Sequence, residues 1–222
     1  RLQKSTGNCL YQERILLYMN YDSVPLRDFK ELNDWETVIF VYQSALKQVE
    51  TKIDILNGEF QHRHKYNPIE HVKSRIKTPE SIVKKLKRHG YESSIENMVR
   101  YVNDIAGIRI SCSFTSDIYL IADMISKQND LTILARRDYM KNPKKSGYRS
   151  YHMLVTTPVF LSDSIIDTKV EIQIRTVAQD FWATLEHKMH YKFEGDGPDY
   201  ITKELRECAR YVAELDTRME EL

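Results

Sequence analysis

Val170-Glu171-Ile172-Gln173-Ile174-Arg175 alternates apolar and polar side chains without a break. A period of two is the signature of a β-strand. Val170, Ile172 and Ile174 therefore share one face, and Glu171, Gln173 and Arg175 share the other. A half-buried strand with a wet face would account for this by itself. Two neighbouring stretches give the polar face more meaning. Lys141-Asn142-Pro143-Lys144-Lys145-Ser146-Gly147-Tyr148-Arg149-Ser150-Tyr151-His152 packs cations, a turn and rings into one short segment. Asn103-Asp104-Ile105-Ala106-Gly107-Ile108-Arg109-Ile110 sets an acid ahead of a second strand-like run.

Working outward, Val38, Tyr42, Leu46, Val49, Ile53 and Leu56 recur every three or four residues and predict an amphipathic helix over 34–56, ended by Asn57-Gly58. A short strand is expected over 71–76. Thr78-Pro79-Glu80 opens a helix, with Thr78 as cap, Pro79 at the first position and Glu80 facing the positive dipole end. It stops at Gly90, and Ser94 caps another helix through Val102. Strands follow over 105–114, 131–137, 148–156 and 167–175, with a helix over 116–128. The basic loop joins the middle two strands. Helices over 177–191 and 200–222 close the chain. This order predicts an α/β (α+β) fold, a mixed β-sheet of about five strands flanked by helices. The expected organisation is one domain over 1–222, with a core of about 72–192 and helical extensions over 1–60 and 199–222.

The 222 residues carry a net charge of only +1, so no global field draws the chain to nucleic acid or an acidic membrane. The charge is unevenly placed, with nine Lys/Arg against two acids from Arg63 to Arg88 and an acid-rich stretch from Glu204 to Glu221. Local basic patches on a neutral protein suit a small polyanion better than a long nucleic acid, so no stable nucleic-acid partner is expected. Cys9, Cys112 and Cys208 are widely spaced and form no Cys-x-x-Cys pair, which fits a reducing compartment rather than a zinc site. The apolar run Ile15 to Met19 is too short for a signal peptide, and nothing reaches membrane-spanning length. The expectation is a cytoplasmic protein.

The candidate chemistry begins with carboxylates. Asp104 and Arg109 lie five apart, so an ideal strand would send them to opposite faces. A β-bulge at Gly107 is predicted, which would reset the parity. In isolation Asp104 reads as a turn residue. Paired with Glu171 it reads differently, because Mg²⁺ takes one or two carboxylates and completes its shell with water and phosphate oxygens. Either acid is also suited to taking a proton from an attacking hydroxyl. Lys84, Lys85, Lys87 and Arg88 read as the wet side of a helix or as an anion site beside Ser81 at its N-terminal end. Gly-x-x-x-x-Gly-Lys-Ser/Thr and Gly-x-Gly-x-x-Gly are both missing from the sequence, so any phosphate must be held by side-chain cations. Among fourteen tyrosines, Tyr148 stands out because it follows a glycine and sits among cations, a context for stacking on a base.

Four motifs in order resemble the synthetase domain of the RelA/SpoT family, most closely its small alarmone synthetases. They are Ser74-Arg75-Ile76-Lys77-Thr78-Pro79-Glu80-Ser81-Ile82, the Asp104–Ile110 run, Asn142–His152, and Glu171–Arg175 continuing to Asp180-Phe181-Trp182-Ala183-Thr184-Leu185-Glu186-His187-Lys188. The resemblance implies a nucleotidyltransferase-like sheet. It also implies transfer of pyrophosphate from ATP to the 3′-hydroxyl of GDP or GTP, giving AMP and ppGpp or pppGpp. It further implies Mg²⁺ at Asp104, with Glu171 as metal ligand or base, and Arg75 and Arg109 sandwiching the adenine. Lys77, Ser81, Lys85 and Arg88 would hold the ATP phosphates. Tyr148 would stack on guanine, with Arg137, Lys144, His152 and Gln173 around the acceptor. A homotetramer is implied too. No His-Asp dipeptide occurs, so synthesis without hydrolysis is expected. Two other readings stay open: the same transfer to adenine nucleotides or a tRNA 3′ end, and a non-catalytic nucleotide- or RNA-binding module.

Overall fold

The computed structural model describes residues 34–64, 66–192 and 199–222. The expected extension over 1–33, Cys9 and the Ile15–Met19 run lie outside them. Helix α1 (Trp35–Arg63) is capped by the Asp34 side chain, which accepts from Thr37 N at 2.7 Å. It buries Val38, Tyr42, Leu46, Val49 and Ile53 of the stripe read from the sequence, with Val41 and Ala45 added, while Leu56 is only half-buried. The helix does not end at Asn57-Gly58 but continues to Arg63. A Cβ at Gly58 would meet nothing within 4 Å. An interior glycine costs roughly 1 kcal/mol relative to alanine, too little to stop a long packed helix.

Strand β1 (Ile69–Ile76) leads to α2 (Pro79–Arg88), where Thr78 caps Ser81 N as anticipated, and Gly90 follows at φ +79°. Ser94 caps α3 (Ile95–Tyr101) through Asn97 N at 3.2 Å. The remaining elements are β2 (Ala106–Cys112), α4 (Thr115–Ser126), β3 (Thr132–Asp138), β4 (Tyr151–Phe160), β5 (Ile165–Thr176), α5 (Val177–Lys192) and α6 (Asp199–Glu221). They build one five-stranded sheet of order β1-β2-β5-β4-β3. It is mixed: β2 and β5 run parallel, and every other neighbouring pair is antiparallel.

One sheet face is apolar. Ile108, Ile110, Met153, Val155, Val170, Ile172 and Ile174 pack there with α1 and with Ile118, Ile121 and Ile125 of α4. A second, smaller cluster joins Trp182 and Ala183 of α5 to Ala209 of α6, with Tyr148 against it. Cys112 and Cys208 are free thiols. Among the described residues no helix is long and apolar enough to cross a membrane.

Two local expectations need correction. No register shift occurs at Gly107: Ile76, Arg75 and Ser74 pair in sequence with Ala106, Gly107 and Ile108. Asp104 precedes β2 in a turn, so strand parity does not apply to it and no bulge is required. Strand β4 begins at Tyr151, so Tyr148 and Ser150 do not share a strand face with His152. Ser150 is fully buried and donates to the Ile174 carbonyl at 3.1 Å. Gly147 at φ +93° turns the chain out of the strand path just before Tyr148.

Candidate active site

Register-paired residues on adjacent strands point to the same side of a sheet. The pairings therefore trace two parallel rows across the face opposite the apolar one. Lys73, Arg109, Gln173, His152 and Arg137 form one row, and Arg75, Gly107, Glu171, Leu154 and Ala135 the next. Strand order and register thus bring six of the anticipated residues onto one surface: Arg75, Arg109, Arg137, His152, Glu171 and Gln173. Gly107 matters here as the side-chain-free place between Arg75 and Glu171.

Asp104 joins this surface from the turn between α3 and β2. Its carboxylate oxygens take Lys85 Nζ at 2.7 Å and Lys77 Nζ at 2.9 Å. Burial alone would raise its pKa, but the two ammonium groups outweigh burial and hold it down at about 2. Glu171 also lies below its ordinary value. Burial pulls it upward, and hydrogen bonds from His152 and Gln173 outweigh that pull. Both acids are ionised at neutral pH.

The polar face of β5 forms a relay. Gln173 Nε2 donates to Glu171 Oε2 at 2.9 Å, and Arg175 Nη2 donates to Gln173 Oε1 at 3.0 Å. His152 Nδ1 lies 3.4 Å from Glu171 Oε1, and its Nε2 lies 2.9 Å from the Tyr148 hydroxyl. Burial lowers the His152 pKa, so the ring is neutral at neutral pH. A carboxylate has no proton to give, which assigns the hydrogen to Nδ1 and makes Nε2 the acceptor of the Tyr148 O–H. Lys144 Nζ sits 4.6 Å from the Tyr148 ring centre and the Arg175 guanidinium carbon 5.6 Å from it.

Two cavities open on this surface. The first is lined by Lys85, Asn103, Asp104, Arg137, His152 and Glu171, among others. The second is lined by Lys73, Ser74, Arg75, Asp104, Arg109, Glu171 and Gln173, among others. Asp104 and Glu171 belong to both, which makes them the boundary between two compartments. Lys85 opens onto the Arg137 side and Gln173 onto the Arg75 side, each across from the substrate group assigned to it by resemblance. Ser81 and Arg88 are exposed on α2 and line neither cavity. Ser81 instead accepts from the Thr78 hydroxyl at 3.0 Å.

Among the described residues no group of three or more His, Cys, Asp or Glu side chains could hold a metal ion. Two hard carboxylates bordering open space suit Mg²⁺, which draws its other ligands from water and phosphate. They do not suit a closed zinc site.

Sequence reasoning missed Asp180 of α5 as a site residue. Its Oδ1 lies 3.3 Å from Arg109 and 3.4 Å from Arg175, two charge contacts that tie both guanidinium groups to one helix. Only the fold brings the first turn of α5 over the sheet. Arg149 and Arg175, both inside the sequence motifs, have different surroundings. Arg149 donates to the Met140 carbonyl at 2.8 Å and braces the loop, whereas Arg175 is buried beside Tyr148.

Residues 74–196 match the model of the region found in RelA / SpoT proteins. GTP pyrophosphokinase YwaC of Bacillus subtilis (strain 168) is 46% identical over 188 residues, 85% of this chain and 90% of that protein. The crystal structure of small alarmone synthetase 2 from Bacillus subtilis superposes with a TM-score of 0.76 at 44% identity, covering 84% of this chain and 97% of that one. Small alarmone synthetase 1 from Bacillus subtilis, bound to its product pppGpp, superposes at 0.79 with 34% identity, covering 84% and 95%. The four motifs, the mixed sheet and these relatives agree: the chain belongs to the RelA/SpoT family, among its small alarmone synthetases.

Proposed function

We infer that the protein is a GTP/GDP pyrophosphokinase, moving pyrophosphate from ATP to the 3′-hydroxyl of GDP or GTP. The observation that carries this reading is the pair Asp104 and Glu171 bordering both cavities, where two nucleotides would meet. The 3′-oxygen attacks the β-phosphorus and a new O–P bond forms. The bond from that phosphorus to the α–β bridging oxygen breaks, and AMP departs with the bridging oxygen. Glu171, ionised and facing both compartments, draws off the hydroxyl proton.

Arg75 and Arg109 would clasp the adenine, since guanidinium planes stack well on rings. Lys77 and Lys85 neutralise Asp104 in the nucleotide-free protein. With a triphosphate present, the same ammonium groups would turn to its oxygens. On the other side, Tyr148 offers its ring to guanine, and Arg137, Lys144 and His152 face the acceptor's ribose and phosphates. Asp104 and Glu171 would hold Mg²⁺, which when bound neutralises phosphate charge and orients an in-line displacement. The chemistry is synthesis without hydrolysis, in a cytoplasmic protein that works as a homotetramer.

The test is incubation with Mg²⁺ and ATP labelled at the β-phosphate, offering GDP, GTP, ADP and tRNA separately, and following label and AMP. Label moving to guanine nucleotides alone is the expected result. Transfer to ADP or tRNA instead would move the acceptor, and no transfer to any acceptor would overturn the reading.

A further inference from the structure

We propose that Lys169 is a positioning residue for Asp104: its ammonium, buried beneath the turn that ends α3, fixes the direction in which that carboxylate points. The proposal rests on the transfer reading above only for its kinetic consequence.

Lys169 lies on β5 two residues before Glu171, so both side chains leave the same face of the strand. Only 3% of the residue is exposed. Its Nζ donates to Asn103 Oδ1 at 2.8 Å and to the Arg100 carbonyl at 3.3 Å. Both acceptors are neutral, and among the described residues no carboxylate lies within ion-pair distance of this cation. Burial, with repulsion from Lys85 added, pushes its pKa down to about 8. A buried cation without an anionic partner opposes stability, and an apolar side chain of similar length would suit the same space better.

What the ammonium does in return is local. Asp104 precedes β2, so no strand alternation orients it, and its two carboxylate oxygens are taken by Lys77 and Lys85. The turn is held at its far end by Lys77 N donating to the Ile105 carbonyl at 2.8 Å. At its near end, Lys169 joins the last turn of α3 to the Asn103 side chain, immediately before Asp104. One strand thereby presents Glu171 directly and Asp104 indirectly, which fixes the two acids relative to each other.

The experiment compares Lys169→Met, Lys169→Arg, Asn103→Leu and the Lys169→Met/Asn103→Leu double variant. Each is followed by steady-state kinetics and by hydrogen exchange of the 99–106 backbone without nucleotide. Lys169→Met should lower kcat on the order of tenfold to a hundredfold, the cost of a small misplacement, with much smaller changes in both KM values. Exchange over 99–106 should accelerate. Asn103→Leu should reproduce both effects and the double variant should add little, because the two groups act through one link. Lys169→Arg, which keeps a donor, should recover part of kcat. Unchanged kcat in Lys169→Met, full additivity, or lost kcat with unaltered exchange would each overturn the proposal. If Lys169→Met fails to fold, Asn103→Leu tests the same link from the half-buried end. Should the wild type transfer to no acceptor, the function reading falls while the exchange measurement still decides the role of Lys169.

Discussion

Glu171 draws its role from its neighbours more than from its chemistry. Hydrogen bonds from His152 and Gln173 keep it ionised despite burial, so Glu171→Gln retains the shape and removes the charge. This variant should lose about 10²–10⁴-fold in kcat while still binding both nucleotides, as checked by single-turnover kinetics and titration. Tyr148 is a different case, because its ring and its hydroxyl do separate things. Removing the ring in Tyr148→Ala should raise KM for the acceptor by roughly the 1–3 kcal/mol of a base stack and leave KM for ATP nearly unchanged. Tyr148→Phe keeps the ring and loses only the hydrogen bond to His152, so its effect on acceptor KM should be much the smaller. Equal losses for ATP and acceptor in the alanine variant would remove Tyr148 from the acceptor side.

Between elements, α6 packs against the loop that carries Tyr148. A Cβ on Gly147 would stand 2.5 Å from Ala209 Cβ, and its φ of +93° disfavours any other residue. The loop is also pinned where Arg206 Nε donates to the Lys145 carbonyl at 3.1 Å. Gly147→Ala should therefore lift the loop off α6 and raise acceptor KM more than ATP KM. Adding Ala209→Gly should restore part of the loss, since it relieves the clash but not the backbone strain. The same helix is anchored by Asp216, whose Oδ2 accepts from Thr176 Oγ1 at 2.9 Å and Gln179 Nε2 at 2.6 Å. Its pKa is raised, burial being the main cause, with Glu220 adding and the two hydrogen bonds and Arg149 opposing. A carboxyl raised in the folded state binds its proton more tightly there than in the unfolded chain. Ionised at neutral pH, it opposes folding, and that opposition fades as pH falls through its folded pKa toward 3.8. Asp216→Asn, whose amide oxygen can accept both hydrogen bonds, should raise Tm at neutral pH. The gain over wild type should shrink as the pH is lowered. A constant difference across that range would show that charge is not the cause.

For the molecule as a whole, the arrangement is a sheet with one face given to the core and the other to chemistry. Helices α1 and α4 cover the apolar face, and α5 with α6 closes one end of the polar face. Tyr211, Leu215 and Met219 remain exposed along α6. In the proposed homotetramer this apolar surface would make subunit contacts. Sedimentation of the wild type should give the mass of four chains, and Leu215→Glu should shift it to a smaller species. A monomer at all concentrations would discard the tetramer.

The strands, the caps at Thr78 and Ser94, and the polar face of β5 were written in the sequence, because period and capping chemistry are local properties. The family was written there too, through four motifs whose order carries the resemblance. Strand order was not local, and it is strand order that lines up Arg75, Glu171, His152 and Arg137 from separate parts of the chain. The lysine contacts of Asp104, the out-of-strand path of Tyr148, and the parts of Asp180 and Lys169 became visible only in three dimensions. Each depends on contacts between segments far apart in the chain, and neither a period nor a spacing records those.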